Sequence, residues 1–221
     1  MRITNITLGI ITAVFCLFNH QAAGVVEFKD GQIHNVDYTI NDTVFIDRRA
    51  PGLQTVVNWL NGGYIPCPYK LRVYEDGRTN IIGGKIDHHL YGYDRSQITL
   101  SSGQIGENLY AYHNSQVNIS GGQIGNYLYA YHDTQINISG GQIGQDLWTE
   151  DNTQIIISGG KIADELWASD NTQVTMSGGQ INNILWGYDN CQITMSGGTI
   201  GNELWVRDNS CLLYTSDAAD E

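Results

Sequence analysis

Seven aromatic residues share one position of a nineteen-residue pattern in this sequence. They are Tyr91, Tyr110, Tyr129, Trp148, Trp167, Trp186 and Trp205. If each copy occupies one coil, the rings form a ladder with a spacing of about 4.8 Å. Such rings can stack on one another and stabilise a strand face, present an apolar stripe to a protein, or form a platform for sugar rings. These residues are the candidate ligand-binding site, with self-stacking as the simplest interpretation.

A second column of the pattern has the chemistry to bind calcium. It consists of Asp151, Asp170, Asp189 and Asp208, with His113 and His132 at the same position in earlier copies. Carboxylates about 4.8 Å apart repel one another, and Ca²⁺ relieves such repulsion because it prefers oxygen ligands. Each of these Asp residues, however, precedes an Asn, which is an ordinary turn pairing. The sequence therefore predicts no cofactor, with calcium at these four aspartates as the alternative.

The repeat unit itself, seen clearly at residues 134–152, defines the elements that position these columns. One glycine per unit marks the period: Gly84, Gly103, Gly122, Gly141, Gly160, Gly179 and Gly198. A fixed period of this size is typical of a solenoid. Alternation puts Ile136 and Ile138 on one face of a first strand, and a glycine corner leads to a short second strand. A third strand points Leu147 inward and Trp148 outward.

Stacking the units predicts inward columns of apolar residues. These are Ile98, Val117, Ile136, Ile155, Val174 and Ile193; Leu100, Ile119, Ile138, Ile157, Met176 and Met195; Ile105, Ile124, Ile143, Ile162, Ile181 and Ile200; and Leu90, Leu109, Leu128, Leu147, Leu166, Leu185 and Leu204. A column of smaller residues runs from Ala111 to Val206. The sequence predicts an all-β fold, a parallel β-helix (β-solenoid) of about seven regular coils over 71–210. An irregular N-terminal cap with further coils is expected over 25–70, because the end units of solenoids are atypical.

Both ends of the chain depart from the repeat. Residues 1–24 combine a basic start, an uncharged apolar run at 6–18 and small residues at 22–24, which predicts a secretory signal peptide cleaved after Gly24. The run is shorter than the roughly 20 apolar residues of a membrane anchor, so no membrane span is expected in the mature chain. The repeat frame holds through Ser210, and residues 211–221 resemble a translated sequencing adapter. We expect that segment to be an artefact that replaces the native C-terminus.

Charge and cysteine content exclude several classes of protein. The chain has 23 acidic and 11 basic side chains and a net charge of −12, which excludes nucleic acid as a partner because phosphates require Lys and Arg. Cys67 and Cys191 lie more than six units apart, roughly 30 Å along a solenoid axis. A disulfide cannot span that distance. Stability is therefore expected to come from the stacked coils.

The unit Ser-Gly-Gly-x-Ile-Gly-x-x-Leu-(Tyr/Trp)-Ala-x-Asp resembles that of secreted 19-residue-repeat β-solenoid proteins of environmental bacteria. The resemblance covers about residues 30–210, and the segment Asn41-Asp-Thr-Val-Phe-Ile-Asp47 resembles the lead-in of such proteins. It implies an extracellular or cell-surface location and attaches no reaction to the chain. Relatives of this kind often end in a short sorting segment for the cell envelope.

The function predicted from these observations is that of a secreted or cell-surface structural or adhesive repeat protein without catalytic activity. Its expected partners are extracellular polysaccharide, other envelope proteins, or further copies of the chain through lateral or end-to-end association. The first alternative is a carbohydrate-binding solenoid that uses the aromatic ladder. The second is a polysaccharide-active β-helix enzyme. It is disfavoured because the coils carry almost no insertions and because Lys161 and Arg207 are the only basic residues within 96–210.

Overall fold

The computed structural model describes residues 25–47 and 53–215, and these residues form a parallel β-solenoid. No helix occurs among them. The predicted signal peptide at 1–24 and residues 216–221 of the adapter-like segment lie outside the described residues. None of the described residues forms a helix with the length and apolar character required to cross a membrane.

The first part of the chain contains short strands at uneven intervals. They are β1 (Val25–Phe28), β2 (Ile33–Val36), β3 (Thr43–Ile46), β4 (Val56–Trp59), β5 (Tyr64–Ile65), β6 (Leu71–Val73), β7 (Arg78–Ile81), β8 (Lys85–Ile86) and β9 (Leu90–Gly92). Spacing between stacked partners is irregular here, since Val25 pairs with Thr43 but Val44 pairs with Leu71. It becomes nineteen residues where Leu71 pairs with Leu90.

The remaining strands follow the nineteen-residue period. They are β10 (Gln97–Leu100), β11 (Gln104–Ile105), β12 (Leu109–Ala111), β13 (Gln116–Ile119), β14 (Gln123–Ile124), β15 (Leu128–Ala130), β16 (Gln135–Ile143), β17 (Leu147–Thr149), β18 (Gln154–Ile162), β19 (Leu166–Ala168), β20 (Gln173–Ile181), β21 (Ile184–Gly187), β22 (Gln192–Ile200), β23 (Glu203–Val206) and β24 (Cys211–Tyr214). The last strand pairs with β22 and leaves its side chains exposed. The predicted artificial origin of 211–221 stays a prediction.

Two parallel sheets build the coil wall. A ten-stranded sheet stacks the third strand of each coil, in the order β1-β3-β6-β9-β12-β15-β17-β19-β21-β23. A fourteen-stranded sheet contains the first and second strands. The prediction of a parallel β-helix is confirmed, with about ten coils where seven regular ones and an irregular cap were expected. The first and second strands, expected to be separate, join from β16 onward into single nine-residue strands with a register shift at the corner.

The two glycines of the corner have different tasks. Gly141 has φ of +75°, a left-handed conformation that favours glycine. Gly140 is needed for close approach instead, because a Cβ atom there would lie 2.3 Å from the carbonyl oxygen of Ser120 in the coil before. Ser139 pairs with Gly159 rather than with Ser158, which is the bulge that turns the strand.

The core confirms the predicted inward columns. The side chains of all four columns are buried from Leu90 to Met195, whereas Ile200, Leu204 and Val206 in the last complete coil are only partly buried. Alternation in the sequence did not predict one further inward column: Ser96, Ser115, Thr134, Thr153, Thr172 and Cys191 are all buried. The Thr hydroxyls donate to the carbonyl three residues earlier, as Thr153 does to Glu150 at 2.7 Å. These hydroxyls satisfy the backbone where the coil turns.

Candidate functional site: the aromatic ladder and its corner

The aromatic ladder lies on the outer face of the ten-stranded sheet. In the third strands from β9 to β21 the leucine before the ring is buried, so the pleat turns the ring outward; Leu147 and Trp148 in β17 are one such pair. Parallel pairing in register then places each ring directly above the next, with Tyr110 opposite Tyr129 and Trp148 opposite Trp167. The structure thus brings all seven candidate residues into one continuous column.

The rings of the ladder stack face to face. Centroids are 4.9 Å apart for Tyr91 and Tyr110, 5.0 Å for Tyr110 and Tyr129, and 4.6 Å for Trp148 and Trp167. Interplanar angles in these three pairs are 7°, 9° and 3°. From Tyr91 to Tyr129 and from Trp148 to Trp205, ring faces therefore lie against neighbouring rings, while ring edges point to solvent. This geometry stabilises the strand face and leaves edges, not faces, for a ligand.

Cationic side chains cover the two ends of the column. Arg72, which occupies the ladder position one coil before Tyr91, lies between Phe45 and Tyr91, with its guanidinium carbon 5.5 Å and 5.7 Å from their ring centroids. At the other end, Arg207 lies 4.5 Å from the ring centroid of Trp205. Cations over aromatic faces are attracted by the ring quadrupole. Arg72 was missed in the sequence, although counting back nineteen residues from Tyr91 finds it.

A second, partial column of tyrosines stands beside the first. Tyr74, Tyr93, Tyr112 and Tyr131 stack at 5.0 Å, 5.3 Å and 5.5 Å between successive centroids. Burial raises the pKa of Tyr93 and of Tyr112. It raises the pKa of Tyr131 to about 12, with a further contribution from the negative charge of Glu150. Burial thus favours the neutral form of all three phenols relative to an exposed tyrosine.

Carboxylates at the second corner of the coil, where each third strand begins, accept hydrogen bonds from the tryptophans. The indole N–H of Trp186 donates to Glu165 at 3.0 Å, and that of Trp205 donates to Glu203 at 2.5 Å. Trp148 donates to Asp146 at a longer 3.4 Å. Trp167 differs, because its buried indole nitrogen has no hydrogen-bond partner. The corner thus fixes ring orientation along most of the tryptophan run.

The same corner, two and three coils before the first tryptophan, holds a cluster that sequence reasoning missed. His88, His89 and Glu107 bring one ligand atom each within 4.8 Å of one another. His88 Nδ1 lies 3.1 Å and His89 Nε2 lies 3.3 Å from Glu107 Oε2. Burial lowers the pKa of His89, with a further contribution from neighbouring His88. The signal was available, since His88 and Glu107 are nineteen residues apart and share one column.

The aspartate column occupies turns with an unusual backbone. Asp151 and Asn152 have φ of +55° and +58°, and each Asp of the column is followed by an Asn in the same left-handed conformation. Asn and Asp adopt this conformation more readily than other non-glycine residues, which explains the pairing more directly than calcium does. Among residues 25–47 and 53–215, the four Asp carboxylates contribute to no set of three converging metal ligands. Asp151 Oδ2 instead lies 2.8 Å from His132 Nδ1. Calcium at this column stays a prediction.

No protein-family model, curated protein or solved structure matches this chain. The fold therefore defines the class, a β-solenoid with a spacing of about 19 residues, and the particular type rests on the residues alone. Chemically, the site offers stacked ring edges bordered by carboxylates, together with one His-His-Glu cluster.

Proposed function

We propose that the chain is a secreted or cell-surface structural repeat protein without catalytic activity, which acts as a stiff spacer or adhesin. The observation that carries this proposal is the ladder, whose ring faces are taken up by neighbouring rings and whose ends are covered by Arg72 and Arg207. Ten coils at about 4.8 Å each give a rod roughly 50 Å long, held by backbone pairing along its whole length.

The extracellular location is part of this proposal and rests on the sequence. Its support is the signal-peptide pattern at 1–24, the acidic net charge of −12 and the resemblance to secreted bacterial repeat proteins. Envelope proteins, extracellular polysaccharide and further copies of the chain are the partners that suit a rod in this location. Lateral association would use the exposed ring edges of the ladder, because apolar stripes on a surface mark interaction sites.

A carbohydrate platform is the competing function, and the ring geometry speaks against it. A sugar packs its C–H face on the face of an aromatic ring, and the faces of Tyr110 and Trp167 lie against rings on both sides. Carboxylates beside Trp186 and Trp205 are polar groups that a sugar would require, but both already accept from the indoles. The proposal therefore gives the ladder a structural task.

The test is the double substitution Trp167→Ala with Trp186→Ala, measured for both stability and glycan binding. We expect a large fall in the thermal midpoint of the variant, whereas any glycan binding by the parent should be retained by the folded variant, because the ring faces of the ladder are occupied by neighbouring rings. Glu203→Gln, at the exposed edge of the same run, serves as the matched control that keeps all rings. Glycan binding by the parent that the double variant loses would favour the carbohydrate platform, and turnover of any acidic polysaccharide would overturn the non-catalytic proposal.

A further inference from the structure

The cluster of His88, His89 and Glu107 joins two successive coils. The two histidines lie at the corner before β9, and Glu107 lies at the same corner one coil later, before β12. The stacked backbones also meet here, since the Glu107 amide donates to the His88 carbonyl at 3.3 Å. Anything that binds all three side chains therefore ties one coil to the next.

Two of the three ligand-to-ligand distances in the cluster match those of a tetrahedral metal site, and all three ligand atoms lie within 4.8 Å of one another. Ligand atoms about 2.0–2.1 Å from a tetrahedral zinc ion lie about 3.3 Å from one another. The distances from Glu107 Oε2 to His88 Nδ1 and His89 Nε2 are 3.1 Å and 3.3 Å. Two imidazoles and one carboxylate are also the ligand types that zinc and related first-row metals prefer over calcium or magnesium.

The orientation of His88 is the second observation. His88 Nδ1 is buried and makes no hydrogen bond, although Glu107 Oε2 is only 3.1 Å away. The short distance is thus a contact between two atoms that do not point at each other. Ligands of one metal ion behave in this way, because each points at the ion rather than at its neighbour.

We propose that His88, His89 and Glu107 form a binding site for a divalent transition-metal ion of the zinc type, which clamps two coils together. The imidazole side chains are 19% and 16% exposed and the carboxylate is 40% exposed, so the fourth coordination position faces solvent. Glu107 supplies the negative charge that offsets the approach of a dication to two neutral imidazoles.

Binding requires one local change at His89. In the structure the backbone amide of Asn108 donates to His89 Nδ1 at 3.4 Å, so the ring proton lies on Nε2 and faces Glu107. A metal ion at Nε2 displaces this proton to Nδ1, and the contact with Asn108 is lost. A neutral hydrogen bond contributes at most about a tenfold factor, so its loss weakens the site without abolishing it.

The repeat provides substitutions that remove ligands and still suit the fold. The column of His88 and Glu107 carries Asn126 and Gln145 in the next coils, and the column of His89 carries Asn108. We therefore use His88→Asn, His89→Asn and Glu107→Gln as test variants. His113→Asn is the matched control, because it also removes one exposed imidazole but lies in the turn column, away from the cluster.

The experiment is calorimetric titration of the untagged chain with Zn²⁺, with Mg²⁺ as the control ion. We expect one Zn²⁺ per chain, binding at least about tenfold weaker in each test variant, and binding within about twofold of the parent in the control. The parent should also gain about 5–10 °C in thermal midpoint at a hundredfold excess of free Zn²⁺ over the dissociation constant. No heat of binding in the parent, or binding lost only in His113→Asn, overturns the proposal.

Cobalt(II) gives a readout that does not depend on any variant. A tetrahedral site gives Co²⁺ strong visible absorption, whereas adventitious binding through water-rich octahedral coordination gives weak absorption. We expect the strong spectrum with the parent chain and its displacement by Zn²⁺. A weak spectrum at one equivalent of Co²⁺ overturns the tetrahedral site even if a substituted chain fails to fold. Either failure leaves the proposed structural role of the ladder intact.

Discussion

The tyrosine and tryptophan runs of the ladder occupy the same position of the coil but are built differently. Tyr91, Tyr110 and Tyr129 stand beside a second stacked column of tyrosines, with 6.2–6.4 Å between neighbouring centroids of the two columns. The tryptophan run has Glu150, Ser169, Tyr188 and Arg207 at those neighbouring positions, so only Tyr188 adds a ring. Where the ladder carries the larger indole rings, the neighbouring position on the same strand mostly carries no aromatic residue.

The two runs also differ in how their polar atoms are held. Tyr110 accepts a hydrogen bond from Asn108 at 2.8 Å, whereas Trp186 donates to the carboxylate of Glu165 at 3.0 Å. The corner beside the tyrosines is accordingly rich in amide and imidazole groups, and the corner beside the tryptophans is rich in carboxylates. Ring type and corner chemistry change together along the rod, which indicates that the two columns act as one surface.

Removing one ring from each run is the comparison with the largest expected effect. Trp167 stacks at 4.6 Å and 4.9 Å on its two neighbours in the ladder, and among the described residues the only ring beside it is that of Tyr188, 6.0 Å away. Trp167→Ala should cost about 3 kcal/mol of unfolding free energy, because it removes the larger ring from the middle of the tryptophan column. Tyr110→Ala should cost about 2 kcal/mol, since Tyr93 and Tyr112 still shield the sheet beside it. Thermal melting should show midpoints about 6–12 °C and 4–8 °C lower.

The comparison between the two runs depends on Trp167→Ala lowering the thermal midpoint more than Tyr110→Ala does. A Tyr110→Ala chain that melts at or below the midpoint of the Trp167→Ala chain would mean that the second tyrosine column gives no shielding. The matched control is Ile156→Ala, an exposed apolar residue on the other sheet, which we expect to change the midpoint little because its side chain is 51% exposed.

The sequence alone predicted the solenoid and the ladder because strict periodicity specifies both. Residues nineteen apart must stack in a regular coil, so Trp148 and Trp167 had to meet once the period was recognised. The same reasoning failed at Phe45, because 27 residues separate Val44 from its partner Leu71, which is eight more than the period, and the extra residues destroy the frame. Pairing in space, not spacing in sequence, was needed to place Phe45 in the column.

The cluster of His88, His89 and Glu107 was not predicted from the sequence, for a different reason. Periodic columns draw attention to residues that repeat, whereas His88 and Glu107 occur once each in a column that otherwise carries amides and Asp164. The turn geometry could not be predicted from the sequence either. The left-handed backbone at Asp151 and Asn152 depends on the path by which one coil connects to the next, and not on the side chains alone. The sequence of a solenoid therefore predicts the repeating coil more readily than the residues that depart from the repeat, and in this chain the candidate metal ligands are such residues.

Alkaline pH should destabilise the tyrosine coils more than the tryptophan coils, and this effect should be smaller than that of removing a ring. Tyr131 ionises near pH 10 in the unfolded chain and at about 12 in the folded one, so its contribution to stability is complete below pH 10 and is lost as the pH rises toward 12. Tyr91, Tyr93 and Tyr112 have raised pKa values for the same reason, which is burial. Indoles do not ionise in this range. The tyrosine coils should therefore unfold first.

Tyr131→Phe tests this expectation directly. Relative to its own stability at neutral pH, the variant should lose less stability between pH 10 and 12 than the parent, because Phe has no proton to release. Denaturant titrations at several pH values, followed by tryptophan fluorescence and far-ultraviolet circular dichroism, measure the difference. Trp186→Phe is the control from the other run and should keep the alkaline slope of the parent. Equal slopes for Tyr131→Phe and the parent would remove this distinction between the runs.

The smallest expected effect concerns the carboxylates that hold the indoles. Glu165 accepts from Trp186 at 3.0 Å and from Asn183 at 3.0 Å, one bond to each carboxylate oxygen. Glu165→Gln keeps only one accepting oxygen, so one charge-assisted bond is lost and about 1 kcal/mol of unfolding free energy should be lost with it. Glu203→Gln should cost less, because Glu203 and Trp205 are exposed and water replaces the lost bond.

Chemical denaturation of the two Gln variants measures this difference, and red-edge tryptophan fluorescence reports whether the indole of Trp186 has turned. If both variants lose equal stability, burial of the indole does not strengthen the bond, and the carboxylate corner acts only through its charge. If Glu165→Gln loses nothing, stacking alone orients the tryptophans. In that case the tyrosine and tryptophan runs differ in ring size and not in the interactions that orient their rings, because hydrogen bonds from the corner residues would not contribute to the orientation.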